Sequence, residues 1–428
     1  MWEAQDPVIG PSRPRLYGLL GPGLITGASD DDPSGIATYS QAGAQIGFAS
    51  LWMMLFSYPL MAATQEISAR IARTTGHGLA GTMRRHCPPW VVQTCILLVV
   101  VANVINLGAD LGAMGDTAAA LLGGPQPLYV LLFGTICVSM QILLQYTRYV
   151  AVLKWVTLVL LAYFGTLAMV DVPWAEAARG LLVPTLSFDK DFLSTLVAVL
   201  GTTISPYLFF WQASQEAEDQ RVRPHREPLI DAPRQATGAF RRIRVDTHFG
   251  MAFSNLVALA IMITAAATLH AHGVTEVQTS QQAAEALRPI AGRFAYLVFS
   301  LGIIGTGFLA VPVLAGSAAY AIGESRDWPV GFARKPMEAR AFYCALGIAT
   351  LIGVIINFLP VDPIQALYWS AVINGVLAAP IMTVMMLLAR SPHVMGRFTL
   401  PPLLALVGWI ATVVMAGAVL GLLATALM

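Results

Sequence analysis

The sequence predicts an all-α polytopic membrane protein with about eleven transmembrane helices in two related halves. Of its 428 residues, 56% are hydrophobic and only 11% are charged, and the mean hydropathy is +0.67. This composition is typical of a chain whose long apolar stretches cross a hydrocarbon core of roughly 30 Å as helices. Two of the stretches are interrupted, five spans apart, and paired interruptions of this kind indicate inverted repeats.

The apolar runs give the order of the predicted helices. They lie near 16–47, 49–69, 89–121, 127–147, 150–171, 193–214, 247–269, 293–322, 341–360, 363–389 and 401–427. Runs one to five form a first predicted repeat at about 16–171, runs six to ten form a second at about 193–389, and the run at about 401–427 is an extra helix. The whole chain, 1–428, is therefore predicted to be a single transmembrane domain.

The distribution of basic residues predicts the orientation. With the N-terminus cytoplasmic and the C-terminus extracytoplasmic, the cytoplasmic side carries all of the 25 Lys and Arg residues except Arg179, Lys190, Arg288 and Arg293. Cytoplasmic loops carry an excess of Lys and Arg, so this multi-pass topology in the plasma membrane is favoured. The seven Arg residues in the segment from about 215 to 246 are interleaved with acids. They are interpreted as a topology signal rather than as a patch that binds nucleic acid.

The first run contains three consecutive aspartates, Asp30, Asp31 and Asp32, followed by Pro33 and, after one serine, Gly35. A carboxylate at membrane depth is costly unless it faces a partner, a cavity or an ion. Pro33 removes a backbone donor and Gly35 relaxes the chain, so carbonyl oxygens are freed at the break. Carboxylate and carbonyl oxygens together predict a cation site.

The sixth run is interrupted as well, in the segment from Thr202 to Tyr207 that contains Ser205 and Pro206. A proline alone in a membrane helix often produces only a kink. Interrupted helices at corresponding places in two halves, however, indicate a binding site near the middle of the membrane. The two breaks are therefore predicted to form one site.

Short motifs in the same regions resemble those of the NRAMP divalent-metal transporters. The segments 21–23, 32–35, 42–45 and 68–70 are similar to the family's GPG, DPGN, AGAQ and SAR stretches, in order and at similar spacing. The segment 109–111 resembles its third span, and Asp246-Thr247 with Asn255 resembles its seventh. The resemblance implies a LeuT-type fold with helices 1 and 6 broken, a divalent metal ion as substrate, and no enzymatic activity.

The same resemblance implies that Asp32 is a metal ligand, but other family ligands are replaced. Gly35 stands where the family has Asn, and Ser205 stands where the family has a Met. A thioether is a soft ligand that favours Mn²⁺, Fe²⁺ or Cd²⁺, and a hydroxyl removes that preference. The remaining donors are the Asp32 carboxylate, the Ser205 hydroxyl and the carbonyls of Ser29 and Thr202. Such an all-oxygen site suits Mg²⁺, which keeps several of its own waters, and the two smaller residues are expected to leave room for them.

Two further residues are candidates for the site. Asp31 is expected to lend negative charge or a water-mediated contact, unless Asp30 and Asp31 lie exposed in a vestibule and only attract cations. In the tenth span, Ala371 stands where the family has Gln. Asn374 lies three residues later on nearly the same helix face and either supplies the missing amide or serves helix packing.

Proton coupling is where the chain differs most from the family pattern. Ala113 and Tyr207 occupy positions where proton-coupled members carry titratable groups. The chain of titratable groups that a proton relay needs is reduced to Asp110, so Asp110 and Tyr207 are the candidates for an ion or proton path. The sequence thus predicts transport of Mg²⁺ and/or Mn²⁺ by alternating access without obligatory proton coupling, as in the NRAMP-related magnesium transporters. The alternative is proton-coupled Mn²⁺ or Fe²⁺ symport.

Other functional classes fit the sequence less well. An intramembrane aspartyl protease needs two facing aspartates, and Asp32 with Asp110 would leave the paired helix breaks unexplained. An amino-acid transporter would bring a substrate carboxylate to a triple aspartate, which repels it. The chain contains no nucleotide-binding loop of the GxxxxGK[ST] type. The expected partners are therefore the divalent ion and the lipid bilayer, with no nucleotide, nucleic acid or resident cofactor.

Overall fold

The computed structural model describes residues 22–143, 164–165, 167–168, 170–223, 226–277, 283, 295–359 and 362–427. All regular structure within these ranges is helical, as the sequence predicts. Most of the fifth predicted span, at about 150–171, lies outside the described residues.

Fifteen α-helices are described within these ranges. They are α1 Pro22–Asp30, α2 Pro33–Ile46, α3 Trp52–Thr75, α4 Leu79–His86, α5 Pro89–Leu122, α6 Gln126–Leu143, α7 Trp174–Leu182, α8 Lys190–Thr203, α9 Pro206–Val222, α10 Ala236–Thr268, α11 Ala295–Arg326, α12 Arg340–Ile356, α13 Pro363–Arg390, α14 Pro392–Met395 and α15 Pro402–Leu427.

Most predicted spans have a helical counterpart. Among the described residues, seven segments are long and apolar enough to cross a membrane, and α8 with α9 forms one of them. Residues Pro33–Ser50 and Trp52–Thr75 form a further candidate that bends by 111°. We assign the two arms of this bend to the first and second predicted spans, because the chain turns there between two separate apolar runs. Helix α12, with 17 residues, is the shortest of the predicted spans that the structure describes.

Both predicted helix breaks are confirmed. At each break, a residue in extended conformation precedes a proline that starts the next helix. Asp32 is the N-cap of α2, with its side chain accepting a hydrogen bond from the amide of Gly35, and Pro33 follows at the first helical position. Ser205, in extended conformation, is the N-cap of α9, and Pro206 follows in the same way. A proline is tolerated at this position because the amide it lacks would have no partner inside the helix. Each break therefore ends one half-helix and starts the next.

Glycine contacts hold both broken spans against long helices. Gly27 on α1 and Gly250 on α10 are so close that a Cβ on either would overlap the backbone of the opposite helix. Gly201 on α8 and Gly375 on α13 make an equivalent contact. Small residues allow such approach, and in a membrane this packing replaces the hydrophobic effect as the force between helices.

The loop within the Arg-rich segment at about 215–246 is shorter than the sequence predicts. Helix α9 continues to Val222 and α10 begins at Ala236, so most of these arginines lie at helix ends. Arg242 pairs with Glu216, and both Arg223 and Arg226 pair with Asp219. Arginines that are paired with acids in this way do not form an open cationic surface.

We expect Gly250→Ala to destabilise the protein, because its Cβ would overlap the carbonyl oxygen of Gly23 and force α1 away from α10. Overpacking of this kind costs roughly 1–3 kcal/mol. The measurement is the melting temperature of the purified protein in detergent. The matched control is Gly417→Ala on α15, where a Cβ meets nothing within 4 Å. An equal effect of the two substitutions would contradict the contact.

Candidate metal site

The Asp32 carboxylate lies at the first helix break and is 1% exposed. Its Oδ1 accepts a hydrogen bond of 2.6 Å from the amide of Gly35. Its Oδ2 lies 2.9 Å from Nδ2 of Asn106 and 3.3 Å from the hydroxyl of Tyr207. These polar groups partly replace the water that a buried carboxylate loses. The first span, the third span and the sixth span thus meet at one side chain.

Tyr207 connects the second break to the first. Its hydroxyl donates a hydrogen bond of 2.7 Å to the carbonyl of Ser29, at the end of α1. Because a phenol has one proton and the contact with Asp32 is longer, the carbonyl is the better acceptor. The Ser29 carbonyl, predicted to be a metal ligand, is therefore engaged by Tyr207 in this conformation and keeps one lone pair.

Ser205 and Thr202 lie together at the second break. The Ser205 hydroxyl contacts the carbonyls of Gly201 and Thr202, the latter at 3.0 Å. Its proton is thus directed into the end of α8, while its oxygen lone pairs are left for another donor or a cation. Thr202 Oγ1 lies close to Gly35, so the end of α8 faces the start of α2.

The immediate surroundings of Gly35 are tight. A Cβ at Gly35 would lie 2.9 Å from the carbonyl oxygen of Asp30 and 3.3 Å from both Thr202 Oγ1 and the ring of Tyr39. The sequence could not reveal the contact with Thr202, because Thr202 comes from the other half of the chain. The room that the missing Asn is expected to leave for waters stays a prediction.

Asp30 and Asp31 are completely buried, which differs from the alternative of an exposed vestibule. Asp30 Oδ2 accepts a hydrogen bond of 2.5 Å from the hydroxyl of Ser254 on α10. Within the described part of the chain, Asp30 Oδ1 and both carboxylate oxygens of Asp31 make no hydrogen bond of normal geometry, although Ser254 also lies near Asp31. Buried carboxylates without partners are unfavourable unless a proton or a cation neutralises them.

Asp110 on α5 is also buried and lies near the start of α2. It interacts electrostatically with Asp32 and with the backbone around Ser34. Neither of its oxygens makes a hydrogen bond of normal geometry to a described residue. Asp110 is thus close enough to Asp32 for the charges of the two carboxylates to interact.

The tenth span reaches the site through Ser370. Its hydroxyl lies 2.7 Å from Oδ1 of Asn106. Asn374, one turn further along α13, is 1% exposed, and both polar atoms of its amide are without partners among the described residues. Sequence reasoning missed Asn106. The available signal was its spacing of four residues from Asp110, which places both on one face of α5.

The candidate site offers oxygen donors of several kinds. No group of three or more His, Cys, Asp or Glu side chains within the described ranges is arranged to hold a metal ion. Around the Asp32 carboxylate lie the hydroxyl of Tyr207, the side-chain amide of Asn106 and the carbonyl of Ser29. Carboxylate, hydroxyl, amide and carbonyl oxygens are ligands that hard divalent ions accept.

The chain is similar to known sequences and solved structures. The family profile described as natural resistance-associated macrophage protein-like (Nramp) matches residues 23–425. The divalent metal cation transporter MntH of Klebsiella pneumoniae is 26% identical over 403 residues, which cover 92% of this chain and 90% of that protein. MntH of Burkholderia ambifaria is 28% identical over 414 residues, covering 94% and 87%.

Solved structures show the same fold. A manganese transporter of Eremococcus coleocola superposes with a TM-score of 0.77 at 15% identity, covering 97% of this chain and 88% of that one. Mhp1, a nucleobase-cation-symport-1 transporter of the LeuT-type fold, gives 0.58 at 14% identity, covering 95% and 93%. The profile match over nearly the whole chain shows that this protein belongs to the Nramp family.

Proposed function

We propose that this protein carries divalent metal cations across a membrane by alternating access. The observation that carries the proposal is the buried Asp32 carboxylate at the junction of two broken helices. Relatives of similar length are named divalent metal cation transporters, which supports the assignment. The substrate we propose is a hard ion, Mg²⁺ and/or Mn²⁺, moved without obligatory proton coupling.

The donor set supports a hard ion. Asp32 supplies the charge, and Ser205 Oγ with the carbonyls of Ser29 and Thr202 supplies neutral oxygens. Asp31 adds charge nearby, and Asn374 is a candidate amide ligand. A soft sulfur ligand is absent at Ser205, where relatives with the MPHN motif carry Met.

The contacts at both ends of the broken first span support alternating access. At one end, the amides of Gly23 and Leu24 donate to the Asp246 carboxylate at 2.8 and 3.3 Å. At the other end, Nδ1 of His270 donates to the carbonyl of Ala44 at 2.8 Å. The Asp32 carboxylate between them is 1% exposed. In the proposed cycle, each set of polar contacts is exchanged for water in turn, which gives the ion access from one side at a time.

Asp32→Asn is expected to reduce divalent cation uptake to a small fraction of the wild-type rate. The substitution removes the charge but keeps an oxygen that can cap α2, so folding is preserved. The measurement is uptake of Mn²⁺ and Mg²⁺ into proteoliposomes. The control is Asp191→Ala, an exposed acid at the start of α8. Wild-type uptake by Asp32→Asn would contradict the site.

Ser205→Met is expected to raise the affinity for Mn²⁺ or Cd²⁺ relative to Mg²⁺ by about tenfold, which corresponds to roughly 1.4 kcal/mol. The physical reason is the restored thioether. The measurement is competition between ions in binding or uptake. Ser205→Leu is the matched control, because it adds similar volume without sulfur. A change of preference that Ser205→Leu reproduces would exclude the thioether as the cause.

Cation entry is expected to follow voltage and to respond little to a pH gradient. Two charges crossing the membrane correspond to about 4.6 kcal/mol per 100 mV, so inside-negative voltage should accelerate entry into proteoliposomes. Proton-coupled symport of Mn²⁺ or Fe²⁺ is the second candidate function, because Asp110 is buried, makes no hydrogen bond of normal geometry to a described residue and lies close to Asp32. Metal-dependent acidification that disappears in Asp110→Asn would support this second function instead.

A further inference from the structure

Asn106 on α5 joins three spans at the candidate metal site and is completely buried. Its Nδ2 donates a hydrogen bond of 2.9 Å to Asp32 Oδ2, and its Oδ1 accepts one of 2.7 Å from Ser370 Oγ. In this state the amide nitrogen occupies one position beside the carboxylate where a cation would bind.

The side-chain amide of Asn106 can flip, so that its oxygen and nitrogen exchange places, and still keep a hydrogen bond to Ser370 on α13. Ser370 Oγ also lies 2.7 Å from the carbonyl of Leu367. When the hydroxyl proton points to Leu367, Ser370 Oγ can accept a hydrogen bond from Nδ2 of Asn106. The amide oxygen of Asn106 then faces Asp32. Both orientations satisfy the groups that connect α5 to α13.

The distances fit an ion shared by the two side chains. Adjacent ligands of an octahedral Mg²⁺ at about 2.1 Å lie roughly 3.0 Å apart. Asp32 Oδ2 and the nearest amide atom of Asn106 are already 2.9 Å apart. A cation would repel the amide NH₂ and attract the amide oxygen, so the ion itself favours the turned orientation.

We propose that Asn106 is a direct ligand of the transported cation through Oδ1, after its carboxamide turns over. The inference rests on the proposed function and assigns it a ligand from the third span. It supplies an amide oxygen in a chain that has Gly35 and Ala371 where relatives carry amide ligands.

The test is the affinity of the purified full chain for Mn²⁺ and Mg²⁺, measured by titration calorimetry. Asn106→Leu removes the oxygen at similar volume and is expected to weaken binding roughly ten- to hundredfold. Asn106→Asp is isosteric, keeps an oxygen and adds charge, so it is expected to bind at least as tightly as the wild type. If Asn106 only donated a hydrogen bond to Asp32, Asn106→Asp would weaken binding, because it would place two carboxylates together without a donor.

Asn103→Leu is the matched control. Asn103 lies one turn earlier on α5, is equally buried, and donates to the carbonyl of Leu314 at 3.2 Å. Its loss should leave the affinity unchanged, whatever it does to the melting temperature. Wild-type affinity in Asn106→Leu, or equal weakening in Asn106→Leu and Asn106→Asp, would overturn the proposal.

A double-mutant cycle with Ser370 adds a second readout. Ser370→Ala removes the acceptor of the turned amide and should weaken binding in the wild type but not in the Asn106→Leu background. Equal weakening in both backgrounds would also overturn the proposal. Failure of the proposed function gives a different result from failure of the Asn106 proposal. If the proposed function is wrong, the wild type binds no divalent ion, or Asp32→Asn binds as well as the wild type.

Discussion

Asp32 must keep a carboxylate in the interior of a membrane-spanning bundle, and the surrounding structure follows from that constraint. Three more carboxylates, those of Asp30, Asp31 and Asp110, are buried close by. Among the described residues, no Lys, Arg or His side chain donates a hydrogen bond to any of the four carboxylates or forms an ion pair with it. The backbone amide at the start of α2, the amide of Asn106 and the hydroxyl groups around them stand in for water. Buried carboxylates of this kind are unfavourable until a proton or a cation neutralises them.

This polar centre requires helices that stop inside the membrane, and broken helices require support. The ends of α1 and α8 leave carbonyl groups without intrahelical partners, and Tyr207 and Ser205 engage some of them. The glycine contacts of α1 with α10 and of α8 with α13 hold the half-helices by van der Waals packing. This packing supports the half-helices without using up the remaining lone pairs of the oxygens at the breaks.

The sequence predicted the parts of this arrangement that are encoded locally. Asp32 with Pro33, and Ser205 with Pro206, are helix-start signals inside apolar runs, so the two breaks and Asp32 could be predicted. The contact of Asn106 with Asp32 joins residues 74 positions apart, and no local pattern specifies it. The packing of Thr202 against Gly35 depends in the same way on how the two halves meet. The fifth span and the orientation in the membrane remain predictions.

The Asp246 carboxylate that caps the start of α1 has a kinetic consequence. The amides of Gly23 and Leu24 both donate to this carboxylate, and hydrogen bonds to a charged acceptor contribute about 1.5–3 kcal/mol each. They therefore stabilise the packing of α1 against α10 in this conformation. Under the proposed alternating access, any separation of these two helices would have to break both bonds first. Since each 1.36 kcal/mol in a barrier changes a rate tenfold, a residue outside the candidate metal site would then influence how fast the protein cycles.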